Sequence, residues 1–141
     1  MIPRLDHREP VSETVQHYVR ELHALGFEGE IHCDDATRTV LSTDNSIYQV
    51  YPQVVVFPKD HEDLCSIVRA AHDHEVTLYP RGGGTGTNAQ SLGAGVVVDT
   101  SKHMNRILEI NVEERWARVQ CGAVKDHLNA EIRQHGLFFA P

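Results

Sequence analysis

The stretch Pro80-Arg81-Gly82-Gly83-Gly84-Thr85-Gly86-Thr87-Asn88 concentrates the chemistry of this 141-residue chain. Four glycines fall within five residues, with Thr85, Thr87 and Asn88 among or beside them. Glycine reaches positive φ at little cost, and without a Cβ it lets the backbone approach a ligand closely. Consecutive N–H groups can then form a concave nest for phosphate oxygens. The hydroxyls and the amide add donors, and Arg81 adds a fixed positive charge. Binding of an anion is the chemistry this composition suits. A glycine run can also be a plain turn, but a turn needs neither the arginine nor the cluster of donors.

Two phosphate motifs can be tested against the spacing. GxxxxGK[ST] requires a lysine before its Ser/Thr, and this loop has none. Gly84-Thr85-Gly86-Thr87-Asn88-Ala89 fits the dinucleotide pattern GxGxxA, which requires a helix to open directly after the glycines. Instead Val96-Val97-Val98-Asp99 reads as a strand close behind, and Leu92-Gly93-Ala94-Gly95 leaves no room for a helix. The expected acidic residue about 20 positions on is also missing, since Met104-Asn105-Arg106 stands there. The spacing predicts an irregular loop over 81–88 that joins strand to strand and holds the anion itself.

The elements around it follow from periodicity. Val11, Val15, Tyr18, Val19, Leu22 and Leu25 stripe an amphipathic helix, with Pro10 suited to its first turn and Gly26 to its stop. Residues 28–43 are polar and hold at most a weak helix, and Ser42 to Tyr48 is a connection rich in turn formers. Val54-Val55-Val56-Phe57 reads as a buried strand closed by Pro58. Asp60 caps the next helix, striped by Leu64, Ile67, Val68 and Ala71. Thr77-Leu78-Tyr79 is the strand that feeds the glycine loop, parallel to the one before the helix. After Val96–Asp99 come a hairpin pairing 106–110 with 116–120 and a helix striped by Val124, Leu128 and Ile132 that stops at Gly136. Gly122 eases the strand-to-helix turn, and Trp116 reads as a packing residue.

Composition narrows the function. The length suits one domain, and 40% hydrophobic with 23% charged residues is ordinary for a globular chain. A formal charge of −7, with no basic patch, argues against nucleic acid. No apolar run reaches bilayer-spanning length, and the first residues do not open a signal peptide. Cys33, Cys65 and Cys121 are odd in number and far apart, as in a cytosolic protein with reduced thiols. Ten histidines show no HExxH-like spacing, and His72 and His74 fall on different faces of a helix, so no metal site is expected.

The ordered set Val54 to Pro58, Pro80 to Thr85, Val97-Val98-Asp99-Thr100-Ser101 with Met104-Asn105-Arg106-Ile107, and Val119-Gln120-Cys121-Gly122 resembles the FAD-binding domain of the vanillyl-alcohol oxidase/p-cresol methylhydroxylase (PCMH) type. Within that superfamily the chain is most similar to bacterial FAD-linked D-2-hydroxy-acid dehydrogenases of the D-lactate and D-2-hydroxyglutarate kind. Ser42 to Tyr48 and Phe138-Phe139-Ala140-Pro141 carry the narrower match, and the resemblance spans about residues 40–141.

The resemblance implies an α+β fold: a small, mostly parallel sheet flanked by helices and preceded by an N-terminal helix. Residues 1–45 would be a helical extension and 46–141 the first subdomain of the FAD-binding domain, with the second subdomain and the substrate domain beyond this chain. Arg81, Gly82, Gly83, Gly84, Thr85, Gly86, Thr87 and Asn88 would wrap the FAD pyrophosphate, with Gln90 and Ser91 at the loop's end and Pro141 near the flavin. Relatives often attach FAD through a histidine that aligns with Thr85, so FAD here would be non-covalent. The family often carries serine at Gly86 and glycine at Ala89. The longer relatives' iron–sulfur segment would lie beyond Pro141, and so would the catalytic side chains. The substrate would be a small D-2-hydroxy acid, and the protein cytoplasmic or peripheral to the inner membrane. Two alternatives stay open: a non-catalytic nucleotide- or anion-binding module, and a structural α+β domain.

Overall fold

The computed structural model describes residues 10–140, so Pro141 lies outside the described residues. A four-stranded sheet is its centre: β1 (Glu30–His32), β2 (Val54–Phe57), β3 (Leu78–Arg81) and β4 (Val96–Asp99), in spatial order β1-β2-β4-β3. β4 runs parallel to both β2 and β3, and only β1 is antiparallel. The last strand in sequence therefore sits between the two strands of the expected parallel unit. All four residues of β2 and of β4 are buried, and each strand opens with three valines, as strands of a covered parallel sheet should.

One face of this sheet carries the main core. Val54, Val56, Val96 and Val98 pack there with Val15, Tyr18 and Leu22 of α1 (Glu13–Ala24) and Ile67, Ala70 and Ala71 of α3 (His61–Asp73). A smaller cluster of Val55, Phe57 and Val97 lies on the other face, with Leu41 and Tyr79 against it. Leu41 follows the short α2 (Asp35–Val40). A separate antiparallel hairpin, β5 (Ile107–Asn111) with β6 (Trp116–Val119), precedes α4 (Lys125–Ile132) and one 3-10 turn ending at Gly136 with φ 69°.

Several details differ from the sequence reading. α1 is capped by Ser12, whose hydroxyl accepts from the Val15 N–H, so Pro10 lies outside its first turn. Gly26 is the left-handed stop expected, at φ 79°. In α3 the buried arc is Asp63, Ile67, Ala70 and Ala71, spaced i, i+4, i+7 and i+8; Val68 falls outside that arc and is exposed. Asp60 does cap this helix, accepting from the Asp63 N–H at 3.0 Å. Val124 is an exposed N-cap rather than part of the α4 stripe. Trp116 is 37% exposed on the hairpin, and its indole N–H donates to Glu114. Gly122 is needed for close approach, since a Cβ there would run into the Thr100 carbonyl.

β1 has no sequence signal, yet it brings the 28–43 region into the sheet. Its Glu30 carboxylate accepts from Lys102 and His103 at 2.7 Å each, tying the strand to the turn after β4. With a further bond from His32 at 3.1 Å, hydrogen bonds from Lys102 foremost, then His32 and His103, draw the pKa of the Glu30 carboxyl down to about 2. Asp63 makes a second tie, accepting from the N–H groups of Glu28 at 2.9 Å and Lys59 at 2.8 Å. Among the described residues the three cysteines are free and exposed.

Among the described residues, the buried Tyr18 hydroxyl has no hydrogen-bond partner, and burial pushes its pKa up. An unsatisfied buried hydroxyl costs about 1–3 kcal/mol. Tyr18→Phe is therefore expected to raise stability by about 1 kcal/mol, read as a higher denaturant midpoint. A lower midpoint would mean that the hydroxyl has a partner in solution.

Candidate functional site

The glycine loop leaves the C-terminal end of β3 and runs as irregular backbone to β4, with no helix between. That position, beside the carboxyl ends of parallel strands, is where open α/β sheets place ligands. The absence of a helix over 86–90 removes the dinucleotide-type alternative and leaves the loop itself as the candidate binding element.

Its backbone carries the principal signal. Among the described residues, nothing accepts a hydrogen bond from the N–H groups of Gly82, Gly83, Gly84, Thr85, Gly86 or Thr87. The Thr85 and Thr87 hydroxyls have no partner among them either, and both residues are exposed. The next N–H, that of Asn88, donates to the Gln90 side chain at 3.0 Å. A run of consecutive donors without protein acceptors, at the surface, can satisfy an anion's oxygens. This arrangement fits a pyrophosphate.

The glycines differ in what they do. Gly84 has φ 66°, and a Cβ there would meet the Arg81 guanidinium. Gly86 faces the Gln90 side chain, which a Cβ would approach to 2.7 Å. Gly82 has no protein atom near a hypothetical Cβ, and Gly83 only the Thr85 methyl at 3.7 Å; neither has positive φ. No protein neighbour demands glycine at 82 or 83. Ala89 sits at φ 58°, a left-handed position that favours glycine.

Arg81 is the last residue of β3 rather than a member of the loop, and its charge is already met. The guanidinium lies 3.8 Å from the Asp99 carboxylate, the two side chains being 10% and 7% exposed, and Nη1 donates to the Thr43 carbonyl at 2.8 Å. Its own carbonyl accepts from the Thr100 N–H at 2.9 Å and from the Thr100 hydroxyl at 3.2 Å. Asp99 further accepts from the N–H and hydroxyl of Ser101. Arg81 thus locks the ends of β3 and β4 to the 43–45 turn.

That turn is the neighbour sequence reasoning missed. The Asn45 N–H donates to the Gly84 carbonyl at 3.1 Å, and the buried Ser91 hydroxyl donates to the Asp44 carboxylate at 3.2 Å. The other Asp44 oxygen accepts from the Ser46 N–H at 2.8 Å. Hydrogen bonds from Ser46 above all, then Ser91 and the charge of Arg81, hold the Asp44 carboxyl below its ordinary pKa. The turn-forming composition of 42–48 was legible, but its place beside a loop some 40 residues on had no local signal.

The FAD binding domain family model matches residues 52–141. D-2-hydroxyglutarate dehydrogenase of Pseudomonas putida is 56% identical over 144 aligned positions, covering 100% of this chain but 14% of that protein. The chain therefore spans about one seventh of that relative's length. Among solved structures, an alkyldihydroxyacetonephosphate synthase superposes with a TM-score of 0.77 at 23% identity, covering 92% of this chain and 26% of that one. Substrate-bound p-cresol methylhydroxylase superposes with a TM-score of 0.73 at 18% identity, covering 90% and 26%. The last two share the fold, a small, mostly parallel sheet with helices. On the match over residues 52–141, the chain belongs to the FAD binding domain family.

Proposed function

We propose that this chain forms the pyrophosphate-binding part of an FAD-linked oxidoreductase that oxidises a D-2-hydroxy acid of the 2-hydroxyglutarate or lactate class. The unpaired N–H run of Gly82 to Thr87 is the observation that carries the binding half of this reading. The 56% identity to a D-2-hydroxyglutarate dehydrogenase supports the substrate half. When bound, FAD supplies the acceptor for the hydride on the substrate's α-carbon. The residues of this chain bind and orient: the N–H groups of 82–87 and the Thr85 and Thr87 hydroxyls take the phosphate oxygens, and Gln90 and Ser91 close the loop. Pro141 would lie near the flavin, as the resemblance implies.

Residues 46–141 would be the first subdomain of the flavin-binding domain, and 1–45 its N-terminal extension. FAD would be held without a covalent bond, because Thr85 cannot replace the attachment histidine of other family members. An iron–sulfur centre, where the full protein carries one, would lie outside this chain. Among the described residues, no group of three or more His, Cys, Asp or Glu is arranged to hold a metal, and no helix is long and apolar enough to cross a membrane.

The test is reduction of the full-length protein by substrate. Purified protein should be yellow, D-2-hydroxyglutarate or D-lactate should bleach it anaerobically, and the L-enantiomers should not. Acid precipitation should leave the flavin in the supernatant. A yellow protein that no 2-hydroxy acid bleaches would contradict the substrate class, and a colourless one would favour the anion-binding module.

A further inference from the structure

A loop of glycines is expensive to order, because glycine loses more backbone freedom on folding than any other residue. This one makes few internal bonds, the Leu92 N–H to the Ala89 carbonyl and the Asn88 N–H to Gln90 among them. Its entrance is tied to Asp99 and Thr100 through Arg81, and among the described residues one tripeptide reaches entrance, middle and exit. Thr43 accepts from Arg81 at the loop's entrance, Asn45 donates to Gly84 at its middle, and Asp44 accepts from Ser91 at its exit. The second Asp44 oxygen holds the Ser46 N–H, which fixes the tripeptide in its turn.

The charge at this position is the informative feature. A carboxylate beside a run of anion-seeking N–H groups repels the ligand it adjoins. Direct binding does not explain an acid here, whereas two acceptor oxygens aimed at two different segments do. We infer that Asp44 is the positioning residue of the cradle: it fixes the exit of the glycine loop on the 43–46 turn so that the N–H groups of 82–87 converge, without itself touching the ligand. The inference rests on the flavin reading only for the identity of that ligand.

The chemistry gives a sign that separates positioning from charge. Asn keeps an oxygen for the Ser46 N–H, and its NH2 group can donate to the Ser91 hydroxyl, which accepts as readily as it donates. Asp44→Asn should therefore preserve the loop and remove the repulsion. Asp44→Ala loses both tethers.

The experiment titrates flavin-free full-length protein with FAD and records thermal unfolding of the same preparations without FAD. Asp44→Ala should weaken FAD by about 10- to 100-fold, and Ser91→Ala by about 3- to 10-fold, for loss of charge-assisted hydrogen bonds. Asp44→Asn should bind within about threefold of the parent or more tightly. The flavin-free melting temperatures of Asp44→Asn and Ser91→Ala should match the parent. Parental affinity in Asp44→Ala, or equal damage from Asn and Ala, would overturn the assignment. Should Asp44→Ala fail to fold, Ser91→Ala decides, and parental affinity there overturns it as well. Gly83→Val is measured alongside: if it too keeps FAD, the cradle reading fails, and if it alone loses FAD, only the positioning role falls.

Discussion

Gly83→Val is expected to strip flavin from the full-length protein while leaving the flavin-free fold almost untouched. Position 83 has no positive φ, and a Cβ there would meet only the Thr85 methyl at an ordinary 3.7 Å. Among the described residues, no atom opposes a Cβ there. What remains to demand glycine is a ligand lying against the backbone, and valine would hold phosphate oxygens away from several N–H groups at once. Loss of two or more charge-assisted bonds weakens FAD by on the order of 3–5 kcal/mol, about a hundredfold to a few thousandfold. The flavin-free melting temperature should move by less than about 3 °C, the range of a surface substitution without a structural role. Gly84→Val is not an equivalent experiment. Its φ of 66° and the Arg81 guanidinium beneath it make any side chain costly to the fold itself. Unchanged flavin occupancy in Gly83→Val would place the phosphates elsewhere.

Arg81→Ala is expected to destabilise the flavin-free protein by about 2–4 kcal/mol, a loss belonging to the fold before it belongs to the ligand. The side chains of Arg81 and Asp99 are 10% and 7% exposed, so truncation leaves a buried carboxylate facing no cation. It also frees the Thr43 carbonyl and uncovers Gly84. The pair is long at 3.8 Å, which places the expected loss toward the lower part of the range for breaking a buried ion pair. Arg81→Lys should recover part of the stability, since an ammonium can meet Asp99 but cannot span both partners with a planar fork. Denaturant unfolding of flavin-free protein reads the effect. Parental stability combined with weakened FAD would instead make Arg81 a direct ligand of the phosphates.

The parts of the fold legible in the sequence are those written locally. β2 and β4 each carry three consecutive valines, Asp60 and Gly26 are single-residue helix signals, and the glycine loop announces itself by composition. What stayed hidden is what depends on distant partners. β1 is only Glu-Ile-His, and it is a strand because β2 offers an open edge and Lys102 and His103 hold Glu30. The insertion of β4 between β2 and β3 is a pairing choice that no local pattern encodes. In the site, the loop could be read directly, but the satisfaction of Arg81 by Asp99 and the buttress at 43–45 could not. Both arise where segments far apart in sequence meet at the ends of parallel strands.

The central claim is that the N–H groups of residues 82–87 bind the phosphates of FAD, and amide hydrogen exchange across that peptide tests it most directly. Donors with no protein acceptor exchange near the rate of an open chain, and a bound acceptor slows them. The account predicts fast exchange over 82–87 in flavin-free full-length protein and strong protection of the same amides when FAD is bound, with the β2 and β4 amides protected in both. Saturation with FAD that left residues 82–87 exchanging as fast as in the flavin-free protein would contradict it.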